Sequence, residues 1–486
     1  MDRGLLQGTF RRNLVSTVMA CLFVAFCCAG AQAACHAVTP AGAGTKNGSS
    51  WTNALAGLPA NLTAGDTYYV ADGAYPSYIM GSSGTASNVI TVRKANATDQ
   101  GQNCSPSIAA GWNAATMGSS QANFAAPFFI QGSFFTLDGQ ARNPDWTGGG
   151  IKVTMSNTAC GNTGKGIFVD DFGPATANVT IQYVEIVGPG YSVSPDTCEQ
   201  TGVYAVPNAP NFTFQYSYIH DVTSGPFQMV TDNTVLIQYN LVARNQSTPL
   251  SHAEAIADSG SLNVTVRYNK WVDIVGTGVI VELNPAVTSN SSNWAIYGNL
   301  FYWTPGNPNG RTDGFGNGLV SCQDTRTCTG WVIYNNTIAG CNWTNFFNCG
   351  IDFAESASGS SVLVQNNLWY NANSVTMTTA AGITNTHDYN TFVSSTGNPA
   401  EPHGATGAAN PFVNFGAFDL HLIQDMSSAS TAGTQWAQGL ALPSPFTTDL
   451  DGVTRGLSAT WDRGAFEFAG ASGAPPAPTN LTVVVH

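Results

Sequence analysis

One short phrase recurs eight times between Asn178 and Asn390, and no other property of the chain restricts its fold so tightly. It reads Val179-Thr-Ile181-Gln-Tyr183, then Phe212-Thr-Phe214-Gln-Tyr216, Val235-Leu-Ile237-Gln-Tyr239 and Val264-Thr-Val266-Arg-Tyr268. Later copies are Trp294-Ala-Ile296-Tyr297, Trp331-Val-Ile333-Tyr334, Val362-Leu-Val364-Gln365 and the degenerate His387-Asp-Tyr389. The closing positions are Val184, Ser217, Asn240, Asn269, Asn299, Asn336, Asn367 and Asn390, spaced by 33, 23, 29, 30, 37, 31 and 23 residues. A loose period of roughly 20 to 40 residues with a fixed apolar alternation indicates a solenoid. Apolar residues two apart mean strands, whereas a helical repeat would need spacings of three and four.

A second apolar stretch precedes most copies, as in Gly166-Ile-Phe-Val169, Gly202-Val-Tyr-Ala205, Glu254-Ala-Ile-Ala257 and Gly278-Val-Ile-Val281. Coils of two or three short strands joined by Asn- and Gly-rich corners stack into a parallel β-helix. Ile181, Phe214, Ile237, Val266, Ile296, Ile333 and Val364 are then expected in one inward column. The corner Asn residues suit such a stack, because Asn tolerates the left-handed conformation and its amide can bond its own copy on the next coil. Tyr183, Tyr216, Tyr239 and Tyr268 should stack likewise, and Trp271, Trp294, Trp331 and Trp369 fall at inward positions.

The first 33 residues carry Arg3, Arg11 and Arg12, an apolar run from Leu14 to Ala29 and small residues at Ala31-Gln-Ala33, the pattern of a cleaved secretory signal. The protein is therefore expected to be secreted, extracellular or periplasmic, with no membrane span in the mature chain. Eight cysteines remain after cleavage, an even number that argues for disulfides in an exported chain. Cys322 with Cys328 and Cys341 with Cys349 would close local loops, and Cys35, Cys104, Cys160 and Cys198 would pair within the N-terminal half. The mature chain holds 13 Lys and Arg against 28 Asp and Glu, net −15. That balance opposes nucleic-acid binding, which needs a basic face.

Two further stretches resemble secreted bacterial right-handed β-helix proteins, the pectate-lyase-like superfamily. The entry is Gly44-Thr-Lys-Asn-Gly48 to Trp51, with Gly65-Asp66 to Tyr75. The exit is Pro411-Phe-Val413, Phe418-Asp-Leu-His-Leu422, Asp449-Leu-Asp451-Gly452 and Asp462-Arg-Gly464-Ala-Phe466. With the repeats, the resemblance spans roughly residues 40 to 468. It implies an all-β chain: signal peptide 1–33, right-handed parallel β-helix 34–400 with an N-terminal cap, irregular closing strands 401–468, and a Pro/Ala/Gly linker with a disordered tail 469–486. The superfamily holds lyases, hydrolases, epimerases and non-catalytic surface proteins, so the resemblance leaves the reaction open. No Asn-Thr-Asp hydrolase signature is present.

Chemistry-bearing residues gather on the coils from His220 to Tyr302. Four positions past the closing residue come Asp221, Arg244 and Asp273 on successive coils, expected as an outer ladder beside His220. Asp258 and Glu282 occupy equivalent positions on adjacent coils and are expected to face outward, where carboxylates about one strand spacing apart need a shared proton or a cation such as Ca²⁺ between them. With Glu254 they form the candidate metal set. Arg244, Arg267 and Lys270 concentrate scarce positive charge where an anionic sugar would be tolerated, and Tyr297 is expected outward as a stacking surface. The reading is a polysaccharide-binding, monomeric protein, most plausibly a lyase on a uronate-containing polymer. Its base would come from His252, Lys270 or Arg244, and Arg267, Tyr297, His220, Asp221 and Asp273 would hold substrate. A non-catalytic carbohydrate binder is the alternative, and a glycoside hydrolase using two of the three carboxylates is the third.

Overall fold

The computed structural model describes residues 33–156, 161–170, 176–190, 200–206, 209–245, 253–282, 290–307, 317–343, 346, 348–426, 435–456 and 461–468. The proposed leader up to residue 32, the tail 469–486, His252, Cys160 and Cys198 lie outside them. Among the described residues the chain forms three long parallel sheets of 14, 12 and 10 strands, joined by corners and loops that include one short helix, Ala114–Met117. Each coil contributes one strand to each sheet, so that Val179, Phe212, Val235 and Val264 pair in unbroken register. This is a right-handed parallel β-helix.

The seven residues of the expected inward column are all buried, none more than 2% exposed. Trp271, Trp294, Trp331 and Trp369 join them in one continuous core. Burial explains why alternation survives while the corners vary: a slip of one residue would turn every apolar side chain outward.

The corner between the first and second sheets repeats most strictly. Tyr183, Tyr216, Tyr239 and Tyr268 all take left-handed backbone, with φ of 55, 53, 54 and 55°. Their rings stack at centroid separations of 5.1, 5.2 and 5.1 Å. The next residue begins the buried Asn ladder. Asn240 donates its backbone N–H and its Nδ2 to Asn269 Oδ1, each at 3.0 Å, and the pattern continues through Asn299, Asn336 and Asn367 to Asn390. Each Asn thereby satisfies buried backbone that the turn leaves unpaired.

Disulfides join Cys35 to Cys104, Cys322 to Cys328 and Cys341 to Cys349. No helix among the described residues is long and apolar enough to cross a membrane. The C-terminal segment folds back along the outside of the later coils through an antiparallel pair, Phe412–Asn414 with Asp419–Leu422. Phe446 packs edge-on against Tyr297 and Tyr334, and Phe415 and Phe418 pack against Tyr302.

Candidate functional site

Register on the second sheet sets Lys152, Glu185, Tyr218, Leu241 and Lys270 in one column. His220 lies two residues beyond Tyr218 on the same face, its ring stacked on that tyrosine at 4.1 Å. At the following corner Asp221 and Arg244 share the left-handed conformation. That brings them into a two-point ion pair, Arg244 donating from Nε at 2.8 Å and from Nη2 at 2.7 Å. Arg244 Nη2 also reaches Tyr218 Oη at 3.0 Å.

The strip is a chain of linked charges. His220 Nδ1 lies 2.5 Å from Asp221 and its Nε2 3.1 Å from Glu185, which also receives Lys152 at 3.2 Å and Gln121 at 2.6 Å. Burial alone would raise the Glu185 carboxyl, but the bonds from His220, Gln121 and Lys152 outweigh it and hold it at about 2. Asp221 is likewise held down against burial by Arg244 and His220. Burial would lower the His220 imidazolium, yet its two carboxylate partners raise it.

Lys270 is different. Among the described residues no carboxylate lies within ion-pair distance of its ammonium, which rests 4.0 Å from the centre of the Trp146 ring. Burial pushes it down to about 8; Arg142 adds to that lowering, while Asp451 and Asp145 oppose it. Trp146 comes from the loop between Phe135–Asp138 and Ile151–Thr154. There Asp145 Oδ1 accepts Thr147 N–H at 3.0 Å, and Trp146 N–H bonds Asn143 O at 2.9 Å. This tight turn forces Trp146 to φ 74°, an unusual conformation for a bulky residue. Its indole packs against the cluster of Tyr218, Leu241 and Ala243. The Arg142 guanidinium sits 4.1 Å from the same ring, so one indole carries two cations. The repeat says nothing of this loop, and Arg142 and Trp146 were missed for that reason; the run Gly148-Gly-Gly150 was the one mark of an insertion.

Several expected site residues are placed otherwise. Asp258 and Glu282 are adjacent across the third sheet, as expected. They do not face outward: they continue the inward column of Met229 and Cys322 and are buried. Corner donors make this tolerable, Ser261 bonding Asp258 and Gly260 N–H bonding Glu282 at 2.7 Å. Burial raises both carboxyls, and the neighbouring Asp258 raises Glu282 further. Glu254 accepts the Thr277 hydroxyl instead of joining them. Among the described residues no three His, Cys, Asp or Glu side chains assemble as a metal-binding group.

Arg267 is outward but embedded in a ladder, bonded to Gln238 at 2.7 Å and to Tyr297 Oη at 2.8 Å. Tyr297 is buried under Phe446 and offers no stacking face. Asp273 turns to the Thr304 backbone N–H at 2.7 Å and hydroxyl at 2.9 Å, leaving the Asp221–Arg244 pair without its third rung.

No protein-family model matches the chain, and no curated protein does. Among solved structures it is similar to the pectate lyase Pel9A, at 16% identity over 90% of this chain and 97% of that one, with a TM-score of 0.47. It is also similar to XylC in complex with xylose, at 9% identity over 89% and 98%, TM-score 0.47. A third is a mannuronic acid specific family 6 polysaccharide lyase from human gut microbiota, at 12% identity over 77% and 82%, TM-score 0.37. Likeness at this level concerns architecture, and the chemistry has to come from the side chains.

Proposed function

We propose that the protein is an exported lyase acting on a uronate-containing polysaccharide, with Lys270 as its base. The observation that carries the reading is the placement of Lys270: a lowered ammonium, lodged on an indole, with no carboxylate bonded to it among the described residues. A lysine so tuned is neutral for part of the time near neutral pH, and a neutral amine can remove the proton beside a uronate carboxylate. The electron pair left on that carbon forms a double bond to the next carbon as the glycosidic C–O bond there breaks, and the departing oxygen keeps that bonding pair and takes a proton from solvent or from the Lys270 ammonium just formed, leaving an unsaturated sugar end. Arg244, held at two points by Asp221, supports binding of the uronate charge as a fixed guanidinium.

We assign no step to calcium. Asp258 and Glu282 are buried inside the solenoid with raised carboxyls and Glu254 is bonded to Thr277, so these three do not fit a cation site. The same placement removes the carboxylate pair on which hydrolysis would depend. The binder alternative keeps one observation in its favour, since the charges from Lys152 to Arg244 largely satisfy one another. Three disulfides support export.

The test is incubation of the purified chain with alginate, pectate and glucuronate-containing polymers, reading ultraviolet absorbance of unsaturated product, with a chelator arm. Turnover is expected on one of them, to rise as pH climbs through about 8 while the Lys270 ammonium loses its proton, and to persist with chelator. Lys270→Ala is expected to lower kcat by about a hundredfold or more. Unchanged turnover in Lys270→Ala, or reducing ends without unsaturation, defeats the assignment. Polymer binding without any cleavage leaves the binder.

A further inference from the structure

The first strand of the solenoid, Cys35–Thr39, begins just after Ala33, the last residue of the expected leader. Ala34 is already joined to the next coil, since its carbonyl accepts Thr67 N–H at 2.9 Å, and Cys35 then pairs opposite Thr67. Ala33 is exposed and Ala34 half-buried. The bond between them therefore lies where the chain leaves the sheet.

The Ala34 nitrogen meets a carboxylate there. It donates to Asp66 Oδ1 at 2.8 Å, and Asp66 Oδ2 lies 2.8 Å from His36 Nε2. Asp66 is 7% exposed. Among the described residues no lysine or arginine lies within ion-pair distance of it, and the basic side chain at that range is His36, stacked on Tyr68 at 4.7 Å. Nearby cations are committed elsewhere, Arg93 to Asp99 and Asp138, and Lys94 to Asp72. A buried carboxylate with no permanently charged partner is costly, and a positive charge at the Ala34 nitrogen would relieve it.

We infer that hydrolysis of the Ala33–Ala34 peptide bond supplies this charge: the α-ammonium it creates is the ion-pair partner of Asp66, so removal of the leader completes the N-terminal cap. The reaction, run by a protease that processes exported chains, consumes one water. Its oxygen goes to the Ala33 carbonyl carbon, which departs as a carboxylate, while the Ala34 nitrogen keeps the electron pair of the broken C–N bond and takes both protons. An ammonium at that nitrogen keeps the bond to Oδ1 and makes it charge-assisted, roughly twice as strong as the amide's. Cleavage one residue later, with lipid attached to Cys35, is opposed because that sulfur is joined to Cys104. The inference rests on the export part of the reading above and not on the role of Lys270.

Three measurements test it on the full chain, exported by a bacterial host from its own leader. N-terminal sequencing and mass spectrometry should give Ala34 as the first residue. A chain that keeps residues 1–33, starts elsewhere or carries an acyl group on Cys35 overturns the inference and leaves any measured lyase activity untouched. The α-amine, labelled by reductive ¹³C-methylation and followed by NMR, should titrate about one unit above its ordinary value near 8, because a carboxylate favours the charged form. The titratable groups at hand are Asp66, His36 and, behind the imidazole, Tyr68. Asp66→Asn, which keeps an acceptor oxygen, should return the amine to its ordinary value. A wild-type value at or below about 8 overturns the pairing whether or not that variant folds. A third chain keeps Asp66 but carries Gly-Ser between the leader and Ala34, which preserves the N–H bond and removes the charge. Amides of Cys35–Thr39 should exchange with solvent about tenfold faster in it than in the processed wild type. Equal rates overturn the role of the charge.

Discussion

Two carboxyl groups that repel each other lie side by side inside the solenoid, and the sequence gives little warning of it. Asp258 and Glu282 sit in strands of four and three residues, too short for alternation to reveal which face is which. A polar residue in such a strand reads as outward. Gly260 and Ser261 at the corner supply the donors that let the pair turn inward instead. Both carboxyls are raised in the folded chain, so the folded state holds more protons than the unfolded one above the ordinary carboxyl range, about 4. This contribution to stability is complete below that range and is lost as pH rises through the raised values. Melting temperature is therefore expected to fall as pH climbs from mildly acidic to alkaline. Glu282→Gln, which can still accept from Gly260, should flatten that slope; an unaltered slope in scanning calorimetry would refute the raised carboxyl.

Columns were legible because a column is a rule applied many times. Ile181 to Val364, Asn240 to Asn390 and Tyr183 to Tyr268 each repeat one solution to one steric problem, and a single misplaced residue could not hide the others. Inserted and remote elements obey no such rule. The Trp146 loop occurs once, and the aromatic face of Tyr297 looked free because Phe446, which covers it, lies more than a hundred residues away. The ladder makes its own prediction. Asn299→Ala removes an amide that donates to Val266 O at 2.9 Å and to Asn336 at 3.0 Å, and an oxygen that accepts two bonds from Asn269. Stranding those buried groups should cost about 3 kcal/mol of unfolding free energy in urea titration. A loss below about 1 kcal/mol would mean that water replaces the rung.

Across the whole molecule the covalent links are unequal. Cys35 and Cys104 are 69 residues apart, whereas Cys322 and Cys328 are 6 apart. Loop-closure entropy then assigns about 4 kcal/mol to the first and about 2 kcal/mol to the second. Cys104→Ser should accordingly lower the denaturation midpoint more than Cys328→Ser, and the reverse order would show that local strain, not chain entropy, governs these bridges. The non-covalent links differ too. From the C-terminal segment Thr448 reaches Tyr268, Phe415 reaches Tyr302, Asp462 reaches Asn335, Leu440 reaches Asn366 and Arg463 reaches Asn390. A bare stack of coils can peel one turn at a time from its end, since each turn answers only to its neighbours. Here a single strap is riveted to five turns at once, so a crack opening at the far end meets no loose edge: the later coils must let go together, and the first breach belongs to the turns the strap does not reach.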